Sequence, residues 1–313
     1  MPEVSVVVPV YNEAEVLPEL ASRLVPVLES SGCSWEVVLV DDGSTDATWS
    51  LLTGLAASEP RLTLVRLSRN FGHQLAITAG MEQATGDAVV VMDADLQDPP
   101  EVVLQMLDHW REGYDVVYGV RVERTEDTAF KRTTAALFYR VLRQLTRVDI
   151  PVDTGDFRLL SRRAVDALRR MPERARYVRG MVAWLGFRQI GVPYRRDPRF
   201  AGSTKYPLGK MIAFATDGMV GFSVVPLRLA TSLGFVMAAA ALGYFGYAVC
   251  MKLLVGRVIQ GWTSLVAVVA LIGSAQLICL GIIGEYVGRI YLEVKGRPLY
   301  VVDTVVSART RTC

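Results

Sequence analysis

Over the first 120 residues of the chain, short continuous apolar runs alternate with segments in which apolar residues recur at helical spacing. Segments at about 15–30, 48–57 and 74–84 carry the helical spacing, and the runs between them show little polar alternation. Unbroken apolar runs of this length are typical of strands that are buried on both faces of a parallel sheet. The alternation therefore predicts βαβ units built around a mainly parallel sheet. The predicted strands are Val4–Val8, Trp35–Val40, Leu62–Leu67, Val89–Met92 and Val116–Gly119.

Two long uncharged stretches later in the chain predict a two-helix membrane hairpin. Residues 229–251 and 262–284 contain no charged side chain, and about 20 apolar residues are enough to cross a bilayer as a helix. The short connection carries Lys252 and Arg257, whereas Arg228, Arg289 and Lys295 flank the hairpin on its other side. Because the cytoplasmic side of membrane proteins is enriched in lysine and arginine, we expect the amino-terminal domain to be cytoplasmic.

Composition and charge narrow the class of protein. The hydrophobic fraction of 51% and the mean hydropathy of +0.29 are high for a soluble protein, and the excess is localised in the two uncharged stretches. A net charge of +2 gives no reason to expect a nucleic-acid partner. The chain opens directly into a strand-like run, without the pattern of a signal peptide. The four cysteines show no metal-ligand spacing and predict unpaired thiols in a reducing compartment.

Acidic residues follow the predicted central strand. Asp93 and Asp95 stand directly after its last apolar residue, and open α/β sheets bind ligands at the carboxyl ends of their strands. Paired carboxylates at that edge suit Mg²⁺ or Mn²⁺, which take one or two carboxylates together with substrate phosphates. An ordinary solvated acidic turn is the alternative. The ends of the first two strands should share this edge and bring there Asn12, Glu13, Asp41, Asp42 and Ser44.

Four motifs of this half resemble one enzyme family. They are Pro9–Glu13 (PVYNE), Val40–Asp46 (VDDGSTD), Asn70–His73 (NFGH) and Met92–Gln97 (MDADLQ). In combination they resemble the family 2 glycosyltransferases and are most similar to the polyprenyl-phosphate glycosyltransferases, which include dolichyl-phosphate mannose synthase and bactoprenol glucosyltransferases. The resemblance covers nearly the whole chain. It implies an α/β catalytic domain of the Rossmann-like GT-A fold, a nucleotide-sugar donor, and Mg²⁺ or Mn²⁺ at the Asp-x-Asp pair.

The resemblance also implies roles for residues of the nucleotide half. Asp93, Asp95 and Gln97 would form the metal site, through which the diphosphate is bound, and Asp95 is therefore one of two catalytic candidates. Side chains at the ends of the first two strands would contact the base and the ribose, where a carboxylate can accept hydrogen bonds. The residues expected to bind the nucleotide sugar are Pro9, Tyr11, Asn12, Glu13, Asp41, Asp42, Asp93, Ala94, Asp95 and Gln97.

Asp156 is the second catalytic candidate. In the family that the chain resembles, its position carries the carboxylate proposed as catalytic base. A polyprenyl phosphate, however, is largely dianionic at neutral pH, because its second pKa lies near 6 by analogy with phosphorylated side chains. A nucleophile that is already deprotonated scarcely needs a base. Two roles therefore stay open for Asp156, that of a proton acceptor and that of an orienting group.

A phosphate acceptor needs cationic contacts. Residues 128–145 place apolar residues on one helical face and Arg132 and Arg143 opposite, which predicts a basic amphipathic helix, either at anionic lipid or docked on its own domain. The loop Arg199–Tyr206 matches the family's R-x-x-G-x-S/T-K pattern. Arginine offers a bidentate fork and lysine a point charge for phosphate oxygens. The candidates for binding the acceptor phosphate are Arg121, Lys131, Arg132, Arg199 and Lys205.

Together, the residues and the resemblance predict a membrane-bound, inverting glycosyltransferase. It would move one sugar, with glucose from UDP-glucose as the first expectation, to polyprenyl (undecaprenyl) phosphate. The expected site is the cytoplasmic face of the bacterial inner membrane, in cell-envelope glycosylation. The alternatives are a GDP-mannose-dependent polyprenyl-phosphate mannose synthase and a non-catalytic membrane scaffold that binds a nucleotide sugar. By family resemblance the enzyme would be a homo-oligomer, a tetramer.

Four regions are expected along the chain. Residues 1–120 would form the nucleotide-sugar-binding half of the catalytic domain, and residues 121–222 its acceptor half with amphipathic interface helices. Residues 223–290 would form the multi-pass transmembrane hairpin. Residues 291–313 would form a cytoplasmic tail.

Overall fold

The amino-terminal part of the chain folds as the apolar pattern predicts. The computed structural model describes residues 2–122, 154–197, 225–255 and 261–307. Every strand predicted from the sequence is present, and helices connect consecutive strands. The elements are β1 (Val4–Val10), α1 (Leu17–Ser30), β2 (Trp35–Asp41), α2 (Thr48–Ser58), β3 (Leu62–Leu67), α3 (His73–Gln83), β4 (Ala88–Val91), α4 (Val102–Arg111) and β5 (Val116–Arg121).

Later parts of the chain add three more strands and four more helices among the described residues. Two of these strands follow residue 153, and the third lies near the carboxyl terminus. The elements are β6 (Thr154–Ser161), α5 (Arg162–Arg169), α6 (Val178–Trp184), β7 (Gln189–Tyr194), α7 (Val225–Val255), α8 (Trp262–Val294) and β8 (Val302–Ser307).

The described strands form one eight-stranded sheet in the order β7-β5-β6-β4-β1-β2-β3-β8. β1 pairs in parallel with β2 and β4, β2 with β3, and β5 with β7. β6 is antiparallel to both of its neighbours, and β8 is antiparallel to β3. The sheet is thus mainly parallel, and the carboxyl ends of β1, β2, β4 and β5 meet at one edge.

Packing against the two faces of the sheet explains the sequence of the helices. α1 buries Leu17, Leu20, Leu24 and Leu28, which lie on one stripe at helical spacing. α3 lies on β1 and β2 so closely that a Cβ at Gly80 would stand 2.2 Å from Cγ1 of Val7. A glycine in the middle of this helix therefore allows the close approach of helix and sheet.

The last two helices form a compact unit of their own. This unit comprises Phe214–Gly296, and a larger unit comprises Met1–Ala213 and Arg297–Cys313. By length and composition, Leu227–Tyr247 and Leu271–Val294 could each cross a bilayer. A buried core helix of a soluble protein would have most of its side chains covered, but only 6% and 0% of the apolar windows of these helices are buried. The predicted spans 229–251 and 262–284 lie within helices α7 and α8, respectively.

The segment after α8 belongs to the sheet. β8 pairs with β3, with Thr63 opposite Ser307 and Val65 opposite Val305. Just before it, the hydroxyl of Tyr300 donates a hydrogen bond to the carboxylate of Glu82. The sequence pattern predicted a cytoplasmic tail at residues 291–313 and no strand, so β8 was not predicted.

Candidate functional site

The predicted convergence of polar residues at one sheet edge is present. Tyr11, Asn12 and Glu13 follow β1, and Asp41 ends β2. Asp93 follows β4, which lies next to β1 in the sheet. Because these three strands are parallel, their carboxyl ends face the same crevice. The edge therefore gathers side chains from sequence positions that are far apart.

Hydrogen bonds between the loops after β1 and β2 tie them to each other. Asn12 has a φ of +54°, and its backbone N–H donates to Oγ of Ser44 over 2.9 Å. The side-chain Oδ1 of Asn12 accepts from the backbone N–H of Thr45, also at 2.9 Å. Farther along, the N–H of Glu13 donates to Oγ1 of Thr48 over 3.0 Å. Asn12 thus fixes the crevice wall with both its backbone and its side chain.

Asp41 and Asp42 also shape this wall. Oδ1 of Asp41 accepts from the N–H of Ser44 at 3.0 Å, and its Oδ2 lies 3.5 Å from Nε of Arg66. Asp42 accepts from the backbone N–H groups of Phe71 (2.7 Å) and Gly72 (2.9 Å), directly before α3. Burial raises the pKa of Asp42, although these two hydrogen bonds lower it. Both carboxylates hold loops in place, and their contacts with a base or ribose stay predictions.

The turn after β4 presents polar side chains alternately with buried ones. Asp93, Asp95 and Gln97 are half-buried, whereas Ala94 and Leu96 between them are buried. Leu96 has a φ of +57°, and the backbone N–H of Gln97 donates to Oδ1 of Asp95 over 3.2 Å. The two buried apolar side chains anchor the turn, and its three polar side chains are the more exposed ones.

The oxygen atoms of this turn fit a divalent cation. Oδ1 of Asp93 is buried and accepts no hydrogen bond from the described residues. Burial, helped by nearby carboxylates, raises the pKa of Asp93 to about 6, although the charge of His73 lowers it. The described residues contain no cluster of three or more acidic, histidine or cysteine ligands. A cation held by Asp93 and Asp95 would therefore take its other ligands from substrate or water, as Mg²⁺ commonly does.

His73, which the sequence analysis did not assign to the site, joins the two acidic candidates. Its Nε2 lies 3.3 Å from Oδ1 of Asp93 and 3.3 Å from Oδ2 of Asp156. Burial lowers the pKa of His73, but the hydrogen bond to Asp156 and the two carboxylate charges together raise it to about 9. His73 is therefore a cation between two carboxylates. Its signal in the sequence was its place at the end of the Asn70–His73 motif.

Asp156 lies in the buried strand β6 and is held from several sides. Arg179 of α6 contacts both of its oxygens, with Nε 2.8 Å from Oδ1 and Nη2 3.2 Å from Oδ2. Nε2 of Gln74 donates to Oδ2 over 2.9 Å. Burial raises the pKa of Asp156, but Arg179 and His73 hold it well below its usual value. A carboxylate with these partners is a weak proton acceptor. Arg179 and Gln74 were not among the site residues predicted from the sequence.

Arg121 is the described member of the predicted acceptor-phosphate set. It ends β5, and its guanidinium lies so close to the backbone of Gly155 that a Cβ there would stand 2.8 Å from Nη2. Gly155 immediately precedes Asp156 in β6, so Arg121 packs against the strand that carries Asp156. The other four candidates, and the amphipathic helix expected at 128–145, lie outside the described residues. They are Lys131, Arg132, Arg199 and Lys205.

Two protein families match the chain in consecutive regions. The family described as glycosyl transferase family 2 matches residues 5–169, which contain all the predicted nucleotide-sugar residues. The family described as GtrB C-terminal hairpin matches residues 225–290, which contain α7 and most of α8. The first match lies within the larger compact unit, and the second lies within the unit of the last two helices.

Individual proteins match over nearly the full length. The glycosyltransferase YkcC of Bacillus subtilis is 48% identical over 299 residues, covering 96% of this chain and 93% of that protein. The prophage bactoprenol glucosyl transferase homolog of Escherichia coli is 38% identical, covering 97% and 99%. The SfII prophage-derived bactoprenol glucosyl transferase of Shigella flexneri is 38% identical, covering 96% and 97%.

A solved structure supports the fold. Glucosyl-3-phosphoglycerate synthase from Mycobacterium tuberculosis, crystallised with Mn²⁺, UDP and phosphoglyceric acid, is 18% identical. The match covers 70% of this chain and 76% of that one, with a TM-score of 0.53. At this identity, the likeness is one of fold.

Proposed function

The chain belongs to glycosyl transferase family 2, and we propose that it transfers one glucose from UDP-glucose to a polyprenyl phosphate at a membrane surface. The predicted GT-A fold and the predicted nucleotide-sugar-dependent glycosyltransferase class are confirmed by the family match and the full-length relatives. The donor, the acceptor and the residue roles given below are the proposal.

The full-length match to bactoprenol glucosyl transferases carries the proposal. At 38% identity it covers 97% of this chain and 99% of the E. coli protein, so it extends over both the catalytic domain and the apolar helices. A long isoprenoid acceptor stays in the bilayer, so an enzyme anchored by two membrane helices can act on it without extracting it. We place the catalytic domain on the cytoplasmic face, where the flanking basic residues put it.

The donor diphosphate is proposed to bind at the turn after β4. Asp93 and Asp95, with Gln97 nearby, would hold Mg²⁺ or Mn²⁺ there. When bound, the cation would supply Lewis-acid stabilisation of the charge that develops on the leaving nucleotide. The structural neighbour from M. tuberculosis was crystallised with Mn²⁺ and UDP, which supports a cation in this role.

The acceptor phosphate is proposed to bind on the Arg121 side of the crevice. Its oxygen forms the new bond to the anomeric carbon while the bond from that carbon to the UDP oxygen breaks, and UDP leaves. The dianionic phosphate has no proton to lose, so the step requires no base. Asp156, held by Arg179 and Gln74, is assigned an orienting role: it fixes His73, and His73 in turn contacts Asp93.

The proposal is tested with the purified full-length protein, undecaprenyl phosphate and labelled nucleotide sugars. We expect label from UDP-glucose to enter the lipid fraction in the presence of Mn²⁺ or Mg²⁺. GDP-mannose and other UDP-sugars form the rest of the panel. Preferential transfer from one of these would overturn the proposed donor, and labelling of the lipid by none of them would favour the scaffold alternative.

A further inference from the structure

Arg121 is supported by a chain of side chains that leads back to the metal-binding turn. We infer that Tyr194 and Asp98 are positioning residues, which fix the guanidinium of Arg121 so that the donor turn and the acceptor phosphate keep a set spacing. The inference rests on the proposed function, because it takes Arg121 as a contact of the acceptor phosphate monoester.

The first link is the contact between Tyr194 and Arg121. The two residues are register partners in the parallel pairing of β5 and β7. Nε of Arg121 donates to the hydroxyl oxygen of Tyr194 over 3.4 Å. The backbone holds the pair as well, since the N–H of Val122 donates to the carbonyl of Tyr194 over 3.1 Å. Arg121 forms no ion pair with a carboxylate in the part of the chain that the structure describes.

The second link is the contact between Tyr194 and Asp98. Asp98 is 0% exposed, and its Oδ1 accepts a hydrogen bond from the hydroxyl of Tyr194. Nε of Arg196 lies 3.6 Å from the same oxygen. Burial and the charge of Asp98 raise the pKa of Tyr194, so its hydroxyl stays protonated. The hydroxyl therefore donates to Asp98 and keeps its oxygen lone pairs for Arg121.

Two glycines leave room for this arrangement. A Cβ at Gly119 would stand 2.7 Å from Cε1 of Tyr194, and a Cβ at Gly155 would stand 2.8 Å from Nη2 of Arg121. The ring of Tyr194 is also in edge contact with Phe157, with 5.7 Å between ring centroids. The positions of the phenol and of the guanidinium are thus both fixed by packing.

The segment that follows Tyr194 is also linked to the turn Asp93–Gln97 by a backbone hydrogen bond. Asp98 follows Gln97 in the sequence, and the carbonyl of Gln97 accepts from the N–H of Asp197 over 3.0 Å. The path from the Asp93–Gln97 turn to Arg121 therefore consists of one buried carboxylate and one phenol. A shift of either would move the guanidinium relative to the donor phosphates.

Tyr194→Phe tests the inference, because it removes the hydroxyl and leaves the ring contacts. Affinity for farnesyl phosphate, a short polyprenyl phosphate, is measured by calorimetry on the detergent-solubilised full-length protein without donor. We expect the dissociation constant to rise by about three- to tenfold, the size expected for the loss of one typical intramolecular hydrogen bond. Asp98→Asn, which can still accept from the phenol, should have a smaller effect.

Tyr118→Phe is the matched control. Tyr118 lies in β5, three residues before Arg121, on the opposite face of the strand by alternation. Its variant should bind farnesyl phosphate as the wild type does. The unfolding temperature of each variant is recorded as well, so that a general loss of structure is recognised.

A double-mutant cycle separates positioning from a general structural role. Arg121→Lys keeps the charge but lacks the Nε–H that donates to the phenol in the wild type. In that background, Tyr194→Phe should change the affinity very little. An unchanged affinity in Tyr194→Phe alone, or an equal effect in both backgrounds, would overturn the inference.

Transfer assays distinguish this inference from the proposed function. With undecaprenyl phosphate and UDP-glucose, Tyr194→Phe should raise the KM for the lipid and leave the KM for the nucleotide sugar unchanged. Binding of farnesyl phosphate by a wild type that transfers no sugar would overturn the proposed function, and the ratio of affinities would still decide the inference. A wild type that does not bind farnesyl phosphate would overturn the inference.

Discussion

The carboxylate of Asp156 and the guanidinium of Arg179 form a two-point ion pair at the sheet edge, with contacts of 2.8 and 3.2 Å. If this pair orients the site, Asp156→Asn should lower kcat by less than about a hundredfold, because general base catalysis typically contributes 10² to 10⁴. Asparagine keeps one oxygen that can accept from Arg179 or His73. The measurement is the steady-state kcat with saturating donor and lipid.

Arg179→Gln is the companion variant, because it breaks the same ion pair from the other side. Its kcat should fall by about as much as that of Asp156→Asn. If Asp156 were a catalytic base, kcat would fall much further in Asp156→Asn than in Arg179→Gln. A loss of 10³ or more in Asp156→Asn, with an unfolding temperature like that of the wild type, would assign the base role after all.

The proposed cation site gives a second prediction, which can be tested by metal binding without an activity assay. Asp93→Asn and Asp95→Ala should each weaken Mn²⁺ binding, followed by electron paramagnetic resonance of the free ion, and chelation should abolish transfer by the wild type. Asp108→Ala is the control, since the Asp108 side chain is 72% exposed and lies on α4, away from the turn. Full transfer activity in Asp95→Ala would contradict the assignment.

Two glycine-to-alanine substitutions should change stability in opposite directions. In a helix interior, alanine is favoured over glycine by up to about 1 kcal/mol. A Cβ at Gly80 would stand 2.2 Å from Cγ1 of Val7, and overpacking of this kind costs about 1–3 kcal/mol. Gly80→Ala should therefore be net destabilising.

Gly54→Ala in α2 is the control for that prediction. A Cβ at Gly54 meets no atom within 4 Å, so only the helix preference remains and the variant should gain stability. Unfolding of both full-length variants in the same detergent gives the comparison. A Gly80→Ala protein as stable as Gly54→Ala would show that helix α3 can move away from the sheet at little cost.

Asp115 gives a prediction for acid stability. It is buried, accepts from the hydroxyl of Ser161 over 2.8 Å and forms an ion pair with Arg163. The hydrogen bond from Arg163 lowers the pKa of Asp115 below 3.8, although burial raises it. A carboxylate whose pKa is lowered by folding stabilises the protein above its unfolded pKa, and this contribution is lost as the pH falls through the folded pKa.

The test is the unfolding temperature of wild type and Asp115→Asn as a function of pH. The variant should be less stable near neutral pH, because the buried hydroxyl of Ser161 loses a charged acceptor and Arg163 loses its ion pair. The difference should be constant above pH 5 and shrink below pH 4. A difference that does not depend on pH would mean that the charge of Asp115 contributes nothing.

The nucleotide half could be predicted from the sequence because its strands are uninterrupted apolar runs. β1 and β2 are buried along their whole length, so their ends, and with them Asn12 and Asp41, were placed correctly at one edge. The roles of these residues toward a base or ribose remain predictions, and so do the tetramer and the four regional boundaries.

The strand β6 and the groups around Asp156 could not be predicted in the same way. Asp156 and Arg158 interrupt the apolar pattern of the strand, and both are buried. Burial of the carboxylate is compensated by Arg179, which is 23 residues away in the sequence, and by Gln74, which is 82 away. Local patterns carry no information about such distant partners. The contacts of His73, Gln74 and Arg179 with Asp156 could therefore be recognised only in the structure.

The pairing of β8 with β3 has a consequence for how the protein is made. The apolar helices α7 and α8 lie between β7 and β8 in the sequence, so they are an insertion within one sheet. Until β8 has been synthesised, the outer edge of β3 lacks its partner, and an unpaired edge readily associates with other strands. The sheet can therefore be completed only after both helices have left the ribosome.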